Sequence, residues 1–255
     1  MSSKKSALVF IHGILSGPEY WHKQLSDLAD TFCILPVCLK GFSHRNQELA
    51  PTSIAGFAED VIQQLDTQKV DSFFLVGHSM GGMIAQEVVH KIPHRINGLV
   101  LYGTGPYGSL PGRFEPIEQS LKNASPDGFR ASIEKAVKSW FLDEIASQHD
   151  IEDSLLLAMK APFSSYKHGL VAMSNWEGKS YLSGFKMPTL VLWGDTDRSY
   201  QWESQPYTLW KSIENSSLSV VSNSAHNVHL ENPELFNLIL TTFLARLPPA
   251  TAAKP

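Results

Sequence analysis

The order of apolar segments is the feature that most constrains how this chain can fold. Short apolar runs, each long enough for one strand, alternate with longer amphipathic stretches through the first hundred residues. The first four runs read SALVFIHG, FCILPVCL, SFFLVG and INGLVLYG. Runs that are apolar throughout indicate strands buried on both faces, which is typical of parallel sheets. The sequence therefore predicts repeated βαβ units and an α/β fold.

The amphipathic stretches between these runs predict three helices, over about residues 21–29, 54–65 and 80–91. Ser53 precedes the second helix and is a suitable N-cap, because its hydroxyl can accept a hydrogen bond from the first turn. Pro93 follows the third and favours its end there.

After the fourth run the alternation stops for about 80 residues, and the pattern there is helical. One of these helices is expected to begin at a Ser125 cap with Pro126 in the first position. Strands return with TLVLWG and SLSVVSN, and a last helix is predicted over 233–247. We expect a mostly parallel sheet of about six strands flanked by helices, with a helical cap inserted after the INGLVLYG strand. The corresponding ranges are 1–105 and 187–247 for the core, 106–186 for the cap and 248–255 for a flexible tail.

The charge and the cysteine content of the chain limit the partners and the surroundings that we expect for it. The net charge is −4 and no long basic run occurs, so the sequence predicts no binding to nucleic acid or to an anionic membrane. We expect a cytoplasmic monomer or homodimer that acts on a small molecule. Cys33 and Cys38 lie an odd number of positions apart on one predicted strand, so their side chains should point to opposite faces. Both are therefore expected to be buried free thiols.

One short motif indicates chemistry. The stretch LVGHSMGGMIA contains the pattern G-x-S-x-G as Gly77, Ser79 and Gly81, between a predicted strand and a predicted helix. This is the context of a nucleophile elbow, in which the serine sits on a sharp turn at a helix N-terminus. The alternative is that the glycines only ease the turn and the serine is incidental. A phosphate-binding loop is disfavoured, since neither G-x-G-x-x-G nor Gly-Lys-Ser/Thr occurs here.

A serine nucleophile needs a histidine base and usually a carboxylate that orients it. Asp195 and Asp197 follow the TLVLWG strand, and His226 follows the SLSVVSN strand. Because the carboxyl ends of parallel strands meet at one edge of the sheet, these groups should lie near Ser79. His229 is the nearby competitor for the role of base, and packing is the expected role for it.

Four segments carry a resemblance to the α/β-hydrolase family that extends over nearly the whole chain. They are FIHG at 10–13, GHSMGG at 77–82, LVLWGDTD at 190–197 and AHNVHLENPELF at 225–236. The resemblance implies Asp197 as the acid, with Asp195 as the fallback. It also implies His226 as the base, because Glu231 and Pro233 follow it at the spacing seen in the family.

The resemblance also implies an oxyanion hole formed by the backbone N–H groups of Met80 and Ile14, with His12 shaping the loop that carries Ile14. The chain resembles small carboxylesterases and enol-lactonases. The predicted activity is a serine hydrolase that cleaves small carboxylic esters or lactones through an acyl-enzyme, with no metal ion and no organic cofactor. A ligand-sensing module that retains the triad, and a cofactor-free perhydrolase or lyase, remain as alternatives.

The predicted cap supplies candidate residues for the substrate pocket. Its large apolar side chains include Phe129, Trp140, Phe141, Met159, Met173 and Trp176. Trp140, Met159 and Trp176 are the principal candidates, although helical spacing of such residues is equally typical of core packing. An apolar roof without an arginine pair favours an uncharged ester or lactone over a diacid.

Overall fold

A computed structural model describes residues 5–108, 115–123, 125 and 128–248. Within these residues the chain forms one six-stranded sheet in the order β2-β1-β3-β4-β5-β6, and every adjacent pair is parallel. The strands are β1 (Ala7–Ile11), β2 (Cys33–Val37), β3 (Phe73–His78), β4 (Ile96–Tyr102), β5 (Thr189–Gly194) and β6 (Ser216–Val221). The predicted α/β fold with a parallel sheet of about six strands is confirmed.

The same residues form ten α-helices. They are α1 (His22–Leu28), α2 (Ile54–Thr67), α3 (Met80–Lys91), α4 (Ile117–Asn123), α5 (Phe129–Ser139), α6 (Gln148–Ala158), α7 (Phe163–Ser174), α8 (Pro206–Ser212), α9 (Val228–Glu231) and α10 (Pro233–Leu244). None of the described helices is both long enough and apolar enough to cross a membrane.

Both faces of the sheet are covered, as the alternation of side chains along β1 demonstrates. Leu8 and Phe10 pack with side chains of α1 and α10 on one face. Val9 and Ile11 point the other way and pack with α2 and α3. Successive residues of a strand face opposite sides, so an uninterrupted apolar run requires helices on both.

The predicted burial is wrong for the FCILPVCL strand, which forms β2 at one edge of the sheet and is only partly buried. An edge strand lacks a neighbour on one side, and its apolar sequence does not reveal that position. For the same reason Cys33 is exposed, contrary to the expectation of two buried thiols, whereas Cys38 is buried. Both cysteines are free.

Helix boundaries follow the sequence signals closely in the first half of the chain. The Ser53 hydroxyl accepts a hydrogen bond from the Gly56 amide at 3.1 Å and caps α2. Helix α5 begins at Phe129, later than predicted, because the Ser125 hydroxyl instead closes a turn with the Gly128 amide at 3.1 Å. Pro126 lies outside the described residues.

Helices α4–α7, called the cap helices below, lie between β4 and β5 in the chain. The segments that lead into and out of them pair with each other. The Gly108 amide donates to the Trp176 carbonyl, and the Gly178 amide donates to the Pro106 carbonyl, both at 2.8 Å. Domain boundaries at 105/106 and 186/187 stay predictions, and all of the predicted tail except Pro248 lies outside the described residues.

Candidate active site

Ser79 occupies the turn between β3 and α3 with φ 56° and ψ −124°. A positive φ is unfavourable for a residue with a side chain, by about 1–3 kcal/mol in sparsely populated regions, and such strain is typical of functional turns. The flanking glycines make the turn sterically possible. A Cβ on Gly77 would lie 2.5 Å from the Gly81 carbonyl oxygen, and a Cβ on Gly81 would collide with the Ile11 carbonyl.

Two hydrogen bonds fix the backbone of Ser79 against the neighbouring strand. Its amide donates to the Tyr102 carbonyl at 3.1 Å, and its carbonyl accepts from the Thr104 hydroxyl at 2.8 Å. The serine is therefore held rigidly at the carboxyl edge of the sheet. It also precedes the first turn of α3, whose N–H groups carry a partial positive charge.

The structure pairs His226 with Asp197. The distance from His226 Nδ1 to Asp197 Oδ2 is 2.9 Å, and both side chains are almost fully buried. The other oxygen of Asp197 accepts from the amides of Ser199 and Tyr200, at 2.6 and 3.3 Å. Asp195 is exposed and does not contact the histidine ring; its carboxylate lies 3.5 Å from the Ser224 amide.

The backbone carbonyl of His226 is held by two donors. His78 Nε2–H donates to it at 3.1 Å, and the Tyr102 hydroxyl donates to it at 2.9 Å. His229 Nδ1–H in turn donates to the Tyr102 hydroxyl oxygen at 3.0 Å. Burial lowers the pKa of both His78 and His229 well below the ordinary histidine value, because desolvation disfavours the charged ring. Both therefore act as neutral hydrogen-bonding groups behind His226.

The loop after β1 is fixed by His12. Its Nε2 accepts from the Leu39 amide at 3.1 Å, so the proton lies on Nδ1, which donates to the Gly13 carbonyl at 2.8 Å. Burial lowers the pKa of His12 to about 4, which keeps the ring neutral. This arrangement orients the backbone around Ile14. Met80 is the first residue of α3, so its N–H has no acceptor within the helix.

A narrow cleft brings these elements together. Its lining residues are Gly13, Ile14, Ser16, Tyr20, His78, Ser79, Trp140 and His226. The cleft is narrow, with about 160 Å³ of empty space between its walls. The structure therefore brings four of the sequence-predicted residues to one cavity: Ile14, Ser79, Trp140 and His226.

The other two pocket candidates lie elsewhere. Met159 lines a surface groove with Arg130 and Glu152, outside the cleft. The Trp176 indole N–H donates to the buried Glu87 carboxylate on α3, at 2.9 Å. The structure thus does not bring Met159 or Trp176 to Ser79. Both are large apolar residues at helical spacing, and that pattern does not distinguish a pocket wall from packing between helices.

Two residues that shape the site had no role assigned to them from the sequence. The only sequence signal for Glu231 is its spacing from His226. In the structure, the two carboxylate oxygens of Glu231 accept hydrogen bonds from the amides of Leu142 and Ala225, each at 2.7 Å. Burial raises the pKa of Glu231. Tyr102 ends β4 at the carboxyl edge of the sheet. The sequence signal available for Tyr102 was its position, because it places an aromatic hydroxyl at the same edge of the sheet as Ser79.

Comparisons with known proteins identify the family and the fold. A family model described as the alpha/beta hydrolase fold matches residues 6–233. A pimeloyl-acyl-carrier-protein methyl ester esterase from Yersinia pseudotuberculosis is 25% identical over 244 residues, which cover 92% of this chain and 92% of that protein.

Solved structures give the same result for the fold. The enol-lactonase from Burkholderia xenovorans LB400 superposes with a TM-score of 0.87 at 20% identity, covering 95% of this chain and 92% of that one. A thermophilic esterase from Thermogutta terrifontis superposes with a TM-score of 0.84 at 21% identity, covering 95% and 90%. Because the family match spans most of the sequence and the solved structures share its fold, this chain belongs to the α/β-hydrolase family.

Proposed function

We propose that this protein is a serine hydrolase that cleaves small carboxylic esters or lactones through an acyl-enzyme intermediate. One observation carries the proposal. Ser79, on a strained turn at a helix N-terminus, shares a narrow cleft with His226, whose ring is hydrogen-bonded to the buried Asp197. These are the groups that a serine nucleophile requires.

In the proposed reaction, Ser79 Oγ attacks the carbonyl carbon of the substrate while His226 Nε2 takes the hydroxyl proton. Asp197 accepts from Nδ1–H, which leaves Nε2 free as a base and stabilises the imidazolium that forms. The backbone N–H groups of Met80 and Ile14 stabilise the oxyanion of the tetrahedral intermediate. His226 then protonates the leaving alcohol, and the C–O bond breaks to give the acyl-enzyme.

Water completes the cycle. His226 removes a proton from water, which attacks the acyl carbon, and collapse of the second tetrahedral intermediate releases the acid and regenerates Ser79. All proton transfers pass through His226. Its backbone carbonyl accepts hydrogen bonds from His78 and Tyr102, and these bonds hold the His226 loop in place. Every step uses groups of this chain together with water.

The names of similar proteins support this class of substrate. The Yersinia relative is named a methyl ester esterase, and the two structural neighbours are an enol-lactonase and an esterase. Both bond types are carboxylic esters, open in one case and cyclic in the other. The same nucleophile and oxyanion hole serve for either.

The test is turnover of methyl esters and lactones in a pH-stat, with wild type compared with Ser79→Ala. We expect multiple turnovers by the wild type and a loss of at least about 10³-fold in the variant, because the residual rate then comes only from binding and the oxyanion hole. Ser217→Ala is the matched control, since Ser217 is exposed on β6 and lines a different groove from the cleft.

A fluorophosphonate probe, located by mass spectrometry, tests the nucleophile independently. Attachment to Ser79 in the wild type and its absence in Ser79→Ala are expected. Ester turnover that survives the substitution would contradict the proposal. A single slow turnover would indicate the ligand-sensing alternative, and transfer to an acceptor other than water would indicate a perhydrolase.

A further inference from the structure

The segment that follows α5 is clamped to the loop that carries His226. The Asn227 amide donates to the Trp140 carbonyl at 3.2 Å. Two residues later, the Leu142 amide donates to Glu231 Oε1 at 2.7 Å. The second oxygen of the same carboxylate accepts from the Ala225 amide, also at 2.7 Å. Residues on both sides of His226 are thus tied to one short segment next to the cap helices.

This clamp places the Trp140 indole beside the proposed base. The ring centroids of Trp140 and His226 are 6.1 Å apart, and Trp140 is 6% exposed. The indole forms one wall of the cleft that contains Ser79. Since the cleft is narrow and the indole forms one of its walls, any group that enters it next to His226 must fit against the indole or displace it.

The chemistry of the reaction determines which part of the substrate meets this wall. The leaving oxygen must come within hydrogen-bonding distance of His226 to receive its proton. The alcohol part of an ester is therefore the part that lies next to His226 and Trp140. A bulky alcohol would push the indole away and strain the bonds that hold residues 140–142 to the His226 loop.

We propose that Trp140 is a specificity-determining residue that restricts the alcohol part of the ester to a small group, and that Glu231 is the positioning residue that holds it there. This inference rests on the proposed function. It concerns the alcohol side of the scissile bond, and it defines the preferred substrates as esters of small alcohols such as methanol or ethanol.

Two ester series test the assignment. The first keeps the acid constant as butyrate and varies the alcohol from methyl through ethyl and butyl to benzyl. The second keeps methanol as the alcohol and lengthens the acid. For the wild type we expect kcat/KM to fall by about tenfold or more from the methyl to the butyl ester, as is usual when added methylenes meet a closed pocket.

In Trp140→Ala the ratio of kcat/KM for butyl and methyl butyrate should rise by about tenfold, whereas the dependence on acid length should change by less than about threefold. Trp140→Phe should give an intermediate ratio. All butyrate esters form the same acyl-enzyme, so the effect must arise in acylation. A ratio measured on one enzyme preparation is also insensitive to the fraction of folded protein.

Glu231→Gln should shift the ratio in the same direction but less. A glutamine side chain offers one acceptor where two backbone amides need one each. Ile145→Ala is the matched control, because Ile145 lies in the same loop as Leu142 and is 89% exposed. It should leave both series unchanged.

The results that would overturn the inference are distinct from those that would overturn the proposed function. A wild type that is labelled at Ser79 and hydrolyses esters, but whose alcohol dependence is unaffected in Trp140→Ala, refutes only the role of Trp140. A Trp140→Ala variant that changes the acid series instead places the indole on the acyl side and also refutes it. A wild type that neither hydrolyses esters nor reacts with the probe refutes both.

Discussion

Asp197→Asn tests the arrangement of the base and the acid most directly. The amides of Ser199 and Tyr200 point at Asp197 Oδ1, at 2.6 and 3.3 Å. In the variant, the amide oxygen must take that place, so the amide NH₂ faces His226 Nδ1. That nitrogen then has to act as the acceptor, which moves the ring proton to Nε2. A protonated Nε2 cannot remove the proton of Ser79.

The expected loss is large in catalysis and small in stability. In a Ser-His-Asp site this exchange lowers kcat by about 10⁴-fold, which corresponds to about 5.5 kcal/mol at about 1.4 kcal/mol for each factor of ten. The two backbone amides keep an acceptor, so the free energy of unfolding should fall by no more than about 3 kcal/mol, the upper value for a hydrogen bond to a charged group.

The assay combines kcat and KM for methyl butyrate with urea unfolding of the same samples. Asp195→Asn serves as the control, because Asp195 is exposed and should retain wild-type turnover. The reasoning is refuted if Asp197→Asn retains turnover within about tenfold of the wild type. It is equally refuted if the control variant loses as much activity.

Three further predictions concern stability and the surroundings of the cleft. The pKa of His12 is lowered from 6.5 to about 4 by burial, so the unfolded chain binds more protons between these values. The free energy of unfolding should therefore fall as the pH drops from 6.5 to 4, by about 3 kcal/mol from His12 alone. Urea unfolding at several pH values measures this dependence, and a free energy of unfolding that does not change with pH contradicts it. Trp176→Phe removes the donor to Glu87 and should lower the free energy of unfolding by about 2 kcal/mol without changing the butyl-to-methyl ester ratio; a changed ratio would place Trp176 at the substrate. Gly103 has φ 51°, and a Cβ there would lie 3.2 Å from His226 Nδ1. Gly103→Ala should therefore lower both kcat and the melting temperature, and the unfavourable backbone conformation alone should lower the free energy of unfolding by about 1–2 kcal/mol. A variant as stable and active as the wild type would show that the turn tolerates a side chain.

The fold was predictable because local pattern and global topology agree. Uninterrupted apolar runs require cover on both faces, and that requirement alone indicates a parallel sheet. Position within the sheet was not predictable. The sequence of β2 is as apolar as that of its neighbours, but it lies at the edge and leaves Cys33 exposed. Whether a strand lies at the edge or in the centre of the sheet depends on which strands pair, and pairing joins segments that are far apart in the sequence.

The kinds of chemical group at the site were predictable from the sequence, but their arrangement was not. Motif and strand order indicated Ser79 and His226, but residue type alone left Asp195 and Asp197 open. The structure separates them through backbone direction, since the chain after β5 turns one carboxylate inward and leaves the other in solvent. The same limit applies to the cap residues. Helical spacing shows that a tryptophan is buried, but not that Trp140 meets His226 while Trp176 meets α3.

The paired segments around Tyr107 and Glu177 have a consequence for how such a molecule can diversify. Between β4 and β5, residues 106–108 and 176–178 bond to each other and hold two distant parts of the chain together. The gap that the core must bridge is therefore a few ångströms, whatever length of chain lies between. A segment of different length can therefore be joined at this point without moving the ends of β4 and β5, but it must keep the hydrogen bonds by which residues 140 and 142 hold the His226 loop. The length of the inserted segment is thus free to vary, whereas its contacts with the His226 loop are not.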